Sequence, residues 1–255
     1  MCGLTGFIDF ARHTAEDVLR ERAEAMSETL RHRGPDDDGV WVDADAGVAM
    51  GFRRLSIIDL SDMGYQPMVS SSGRYVIVFN GEVYNFRELR DALIPAGARF
   101  TGSSDTEVIL EAIQAWGLEA AVRRFVGMFA IALWDREERT LHLVRDRIGV
   151  KPLYWGRQGN LLLFGSELKA LRAHPDWRPE IDRDALVAYF RHAYVPAPFS
   201  IYRGIGKLMR EPSFPSAQTA RIRLPPIGPW PRSWRRAAPT PWTPRRTKRP
   251  TGSKR

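Results

Sequence analysis

Cysteine is nearly missing from this chain: 255 residues contain one, at position 2. A lone thiol excludes an intrachain disulfide framework and suits a reducing compartment. Long apolar runs are missing as well, and nothing approaches the roughly 18 apolar residues a membrane helix requires. The start has no basic segment ahead of an apolar one, and Asp9 and Arg12 interrupt its hydrophobic stretch. No secretory signal is read there. These absences predict a cytoplasmic protein with no membrane partner.

The formal net charge is +8, which suggests nucleic acid until its distribution is considered. Residues 209–255 hold ten Arg, two Lys and one Glu, net +11, together with ten of the eighteen prolines; residues 1–208 are net −3. A segment rich in Pro, Arg, Ser and Thr and poor in aliphatics buries too little apolar surface to offset the entropy of ordering it. The composition therefore predicts a folded domain over 1–208 and a disordered Pro/Arg-rich tail over 209–255. Trp230, Trp234 and Trp242 in the tail are able to stack on bases, and its cations would attract phosphate backbones. A binding module using the basic tail is thus an alternative function. No recognition motif accompanies these residues, and nucleic acid is not the expected partner.

Within 1–208, helix and strand signals alternate without a repeat. Thr14 and Asp17 read as a capping box for a helix with Val18, Leu19, Ala23, Met26 and Leu30 on one side. Gly34-Pro35 forces a loop. GFRRLSIIDL (51–60) and YVIVF (75–79) read as strands. A short helix follows Asn85, carrying Phe86, Leu89 and Leu93. Ser104 with Glu107 caps a longer helix that Gly117 closes. Residues 129–134, 140–145 and 161–165 read as successive strands, and 166–174 and 182–193 as the last helices. Helices packed on an antiparallel or mixed sheet, an α+β fold, follow from this order.

The chemistry starts from Cys2. Removal of the initiator Met leaves a thiol and a free α-amine on one residue, titrating near ~8.5 and ~8 respectively. The amine is then able to take the thiol proton, directly or through one water, so the nucleophile brings its own base. Gly3 and Gly6 would let the backbone approach a substrate. Asn80-Gly81 has two readings: a hairpin turn, for which Asn-Gly between β-rich runs is favoured, or an oxyanion hole built from the Asn80 amide and the Gly81 N–H. Arg53 and Arg54 face opposite ways on a strand, so one of them enters a given pocket. An arginine fork there suits a substrate carboxylate; solvated arginines are the plainer alternative. Asp105 sits at the first helical position, favoured there by the helix dipole or retained to hold a substrate ammonium group. A nucleophile, an oxyanion hole, a cation for a carboxylate and an anion for an amine together describe a site for glutamine.

At these residues the chain resembles a known family. MCGLTGF, RHRGPDDDG, RRLSIIDL, NGEVYN, GSSDTEV, RDRIGVKPLY and SELKAL, in this order, resemble the class II glutamine amidotransferase domain of glutamine-hydrolysing asparagine synthetases. The resemblance covers about residues 1–208. It implies an N-terminal-nucleophile (Ntn) hydrolase fold, an αββα four-layer sandwich with two antiparallel sheets. It implies Cys2 as nucleophile, Asn80 and Gly81 as the oxyanion hole, and Arg54 rather than Arg53 as the carboxylate-binding arginine. Leu55, Ser56, Ile57 and Ile58 match the strand lining the glutamine site, and Glu82 and Asp105 match groups around the α-amine. The implied reaction needs no cofactor or metal; it releases ammonia and leaves glutamate through a glutamyl thioester.

In such synthetases a second domain binds ATP and Mg to activate aspartate, using a phosphate loop of the type SGGxDS. That loop is not in these residues. RGIGKL (203–208) has neither the spacing nor the Ser/Thr of a phosphate loop and reads as an ordinary loop. The resemblance and the composition both change at 208. A frameshift or truncation accounts for both, making 209–255 out-of-frame translation by this reading. The ammonia-accepting synthetase domain is then missing, and the chain is expected to be a glutaminase or else an inactive remnant. No feature of the sequence specifies an oligomeric state.

Overall fold

The structure is a computed structural model that describes residues 1–57, 61–209 and 217–223. In chain order its strands are β1 (Gly3–Asp9), β2 (Asp37–Asp43), β3 (Val48–Arg54), β4 (Met68–Val69), β5 (Tyr75–Val83) and β6 (Gly127–Asp135). Then follow β7 (Thr140–Asp146), β8 (Tyr154–Gln158), β9 (Leu161–Gly165), β10 (Ile205–Lys207) and β11 (Ala217–Arg223). The helices are α1 (Glu16–Glu28), α2 (Phe86–Leu93), α3 (Asp105–Trp116), α4 (Leu118–Arg124), α5 (Leu168–Arg172) and α6 (Arg183–His192).

The strands form two sheets, ordered β10-β8-β9-β1-β3-β2 and β11-β7-β6-β5-β4. Every pairing in them is antiparallel. Strand side chains alternate between faces, and here both faces are apolar because both are covered. On β6, Ala130, Ala132 and Trp134 enter the seam between the sheets. The intervening Phe129, Ile131 and Leu133 pack beneath α2, α3 and α4. On β1, Leu4 and Ile8 enter the seam and Phe7 meets Leu19, Met26 and Leu171 of α1 and α5. The result is four layers, helix–sheet–sheet–helix. No helix among the described residues is long and apolar enough to cross a membrane.

Several local expectations are corrected. Thr14 does not cap α1; its hydroxyl donates to Asp9 Oδ2 at 2.6 Å, and the helix starts after Ala15. RGIGKL contributes a short strand, β10, paired with β8. The strand read over 51–60 ends at Arg54: Leu55 turns to Cys2 Sγ and the Ser56 N–H donates to Asp36 Oδ2 at 2.8 Å, outside the ladder. Gly3 and Gly6 serve packing: a Cβ on Gly3 would press on Leu30 at 2.9 Å, and one on Gly6 would overlap the Phe164 ring and crowd the Ala49 carbonyl. Residues 217–223, placed in the disordered tail by composition, form strand β11 on the edge of β7. Ala220 and Ile222 alternate into the seam there, a local pattern that averaging over forty-seven residues hides. The rest of the tail lies outside the described residues.

One element is poorly covered. Asp182 caps α6 through the Asp184 and Ala185 N–H groups, but only Ala185 of that helix is buried, and Val187, Tyr189 and Phe190 are exposed.

Candidate functional site

Strand parity builds the site. Cys2 continues the inward row of Leu4 and Ile8 on β1; Arg54 continues that of Val48, Met50 and Phe52 on β3. On the facing sheet, Asn80 and Glu82 continue the row of Val76 and Val78. All three rows converge at one end of the seam. There Cys2, Arg54, Leu55, Ser56, Ile57, Asn80, Gly81, Glu82 and Asp105 line a single cavity of about 200 Å³. Ile58 lies outside the described residues.

The Cys2 sulfur is bracketed by one residue. Leu55 N–H donates to Sγ at 3.4 Å and the Leu55 carbonyl lies 3.6 Å away. Burial pushes the thiol up from its ordinary value, against the lowering effect of the Leu55 N–H and the chain terminus. With Met1 attached, the nitrogen of Cys2 is a peptide nitrogen. Met1 is 57% exposed at the mouth of the cavity.

Asn80-Gly81 is not a turn. The pair lies inside the nine-residue β5, opposite Ala130 and Phe129 of β6. Asn80 is 1% exposed, and its amide nitrogen has no hydrogen-bond partner among the described residues. Buried polar groups are rarely left so; a donor kept unpaired on a cavity wall is available to whatever fills the cavity. Gly81 is required by close approach, since a Cβ there would overlap the Met128 carbonyl oxygen.

Arg54 enters the cavity and Arg53 does not. Arg53 turns outward to Glu28 and to Asp38 at 3.2 Å. The Arg54 guanidinium donates to the Ser61 carbonyl at 3.0 Å and stands 3.8 Å from Asp37. Asp105, at the first position of α3 behind the Ser104 cap, accepts the Val83 N–H at 3.0 Å. Burial raises its carboxyl to about 6, opposed by N–H groups including that of Val83, with Glu82 adding a further upward push.

Three supporting groups were not read from the sequence. Arg33 donates to the Cys2 carbonyl at 3.0 Å and to Glu167 at 2.9 Å. Gln66 is a buried strut, accepting from Phe79 N–H at 2.6 Å and donating to Thr106 at 3.2 Å. Lys151 is buried in the cavity wall. Arg33 and Lys151 fall inside quoted motifs, which was the available signal; Gln66 carries none.

The layering defines the class: this is an Ntn hydrolase fold. Among solved structures it is similar to the glutamine phosphoribosylpyrophosphate amidotransferase of B. subtilis, with a TM-score of 0.58 and 19% identity, over 71% of this chain and 45% of that one. At that identity the likeness establishes the fold alone. The sequence model of the glutamine amidotransferase domain family matches residues 1–221, and the chain belongs to that family. The match runs past Leu208 into β11. Asparagine synthetase 3 (glutamine-hydrolyzing) of Bacillus subtilis strain 168 is 40% identical over 192 residues, covering 74% of this chain and 30% of that protein. A putative glutamine-hydrolyzing asparagine synthetase of Mycobacterium bovis is 40% identical over 243 residues, covering 90% of this chain and 36% of its own length. The chain thus spans about a third of these relatives and is akin to a part of them.

Proposed function

We propose that the chain hydrolyses glutamine to glutamate and ammonia, with Cys2 as nucleophile once Met1 has been removed. The observation that carries this reading is the unpaired, buried Asn80 amide in the cavity that the Cys2 sulfur lines. Asn80 and Gly81 serve as the oxyanion hole. Glu82 and Asp105 receive the α-ammonium group, and Arg54 the α-carboxylate, with Leu55 to Ile57 closing the wall.

The steps follow from these groups. The freed α-amine of Cys2 takes the thiol proton, and the sulfur bonds to the amide carbon while the carbonyl electron pair moves to oxygen. Collapse of this intermediate re-forms the carbonyl and breaks the C–N bond, the ammonium of Cys2 returning a proton to the departing nitrogen. Water then attacks the thioester, giving glutamate and the thiol. No cofactor or metal enters this sequence.

In relatives named asparagine synthetases the ammonia is destined for asparagine. We propose the same destination here, by an ATP-dependent synthetase region that residues 1–255 do not contain. The test is a glutaminase assay on purified protein, with the N-terminus read by mass spectrometry. Glutamate is expected from the Met1-free form, at least a thousandfold less from Cys2→Ala, and no asparagine on adding aspartate, ATP and Mg. Full activity in a chain that keeps Met1 would overturn the free-amine mechanism.

A further inference from the structure

Lys151 belongs to the same cavity and has no part in the steps above. It is 6% exposed, lines the cavity, and its ammonium makes no hydrogen bond or ion pair among the described residues. A cation in a cavity wall with no ion-pair partner favours negative charge in whatever occupies the cavity.

Backbone hydrogen bonds fix where the Lys151 main chain joins the cavity wall. Asp146 Oδ2 accepts the Lys151 N–H at 3.0 Å and the Phe129 N–H at 3.3 Å. Arg145 Nε donates to the Lys151 carbonyl at 2.6 Å. Phe129 is the β6 partner of Gly81, and Ala130 is paired with Asn80 on one side and Arg145 on the other. The loop of the RDRIGVK motif is therefore tied to the Asn80-Gly81 rung of the sheet. Arg54 reaches the cavity from the opposite sheet, held at the Ser61 carbonyl.

We infer that the Lys151 ammonium, acting together with the Asn80 amide, stabilises the negative charge that forms on the oxygen of the amide under attack. This rests on the glutaminase reading. No proton transfer is assigned to Lys151: the carbonyl electron pair moves onto oxygen as the S–C bond forms and returns as the C–N bond breaks. The role is electrostatic, a charge fixed in a partly dry wall where it acts more strongly than in water.

The test compares Lys151→Met, Lys151→Gln and Lys151→Arg with wild type in glutamine hydrolysis. Both neutral variants are expected to lose about 10²-fold in kcat, the scale of losing one oxyanion donor, with KM within about threefold and most of the rate restored by arginine. An aldehyde isostere of glutamine, whose thiohemiacetal oxygen occupies the oxyanion position, should bind them more weakly, while glutamate affinity is unchanged. Two results overturn the inference alone: an active wild type with neutral variants within about twofold of it in kcat, or a loss falling on KM and glutamate affinity together, which moves the lysine to the α-carboxylate. A wild type that neither turns over glutamine nor binds the aldehyde overturns the glutaminase reading, and this inference with it.

Discussion

Asp105 and Val83 are joined by a single hydrogen bond, the carboxylate Oδ2 accepting the backbone N–H at 3.0 Å. That bond favours the ionised carboxylate, yet burial outweighs it and raises the group to about 6. In the folded chain Asp105 therefore holds its proton at pH values where the unfolded chain, with an ordinary carboxylate near ~4, has lost it. Stability from this group falls as pH rises from about 4 to about 6 and stays low above that. Asp105→Asn is expected to be more stable than wild type at pH 8, on the order of 2 kcal/mol, and nearly equal to it at pH 4. Urea denaturation at both pH values checks this. Glutamine binding moves the other way: KM should rise at least about tenfold in the variant, and in wild type as pH drops below about 6. Equal KM values would remove Asp105 from the α-amine site.

Cys2 offers a second measurement. With Met1 attached, burial holds the thiol above its ordinary value, so its reaction with iodoacetamide should keep accelerating with pH beyond the point where a free thiol levels off. Removing Met1 places an ammonium beside the sulfur and should move that midpoint down. Alkylation rates against pH for the two forms, separated by mass, decide it; identical profiles would contradict activation by the terminal amine.

Strand β11 yields a third. Ile222 is 7% exposed and packs into the seam with Ala220, so β11 shields both the edge of β7 and part of the inner core. Ile222→Ala should cost about 2–4 kcal/mol. A chain ended at Leu208 should lose more than that and expose the β7 edge to self-association. Denaturant midpoints and light scattering on chains ended at 208 and at 223 compare the two; equal stability would mean that β11 adds nothing.

Much of this arrangement was legible because strands have a period of two. Once β1, β3 and β5 are placed, Cys2, Arg54 and Asn80 must share faces with Leu4, Phe52 and Val78, and Arg53 must face away. The Ser104 cap and the Gly117 stop were equally local, and both stand as read. Other features depend on partners distant in the chain. Asn80-Gly81 has the local signature of a hairpin, and only pairing with β6 across the Ala130 and Phe129 rung keeps it extended. β2 (DDGVWVD) starts with two carboxylates and becomes a strand because β3 supplies a full ladder beside it. Gln66 has no motif, and its role exists only once the loop before β4 lies against β5 and α3. β11 was missed because a short alternating segment was averaged into a basic, proline-rich surrounding.

The cavity has one wall from each sheet, Cys2 and Arg54 on the first, Asn80 and Glu82 on the second. A molecule held at both walls acts as a removable rivet across the two layers. Under the proposed chemistry the thioester holds the substrate carbon at the first wall while Asn80 holds its oxygen from the second, and the departure of glutamate removes that bridge between the layers.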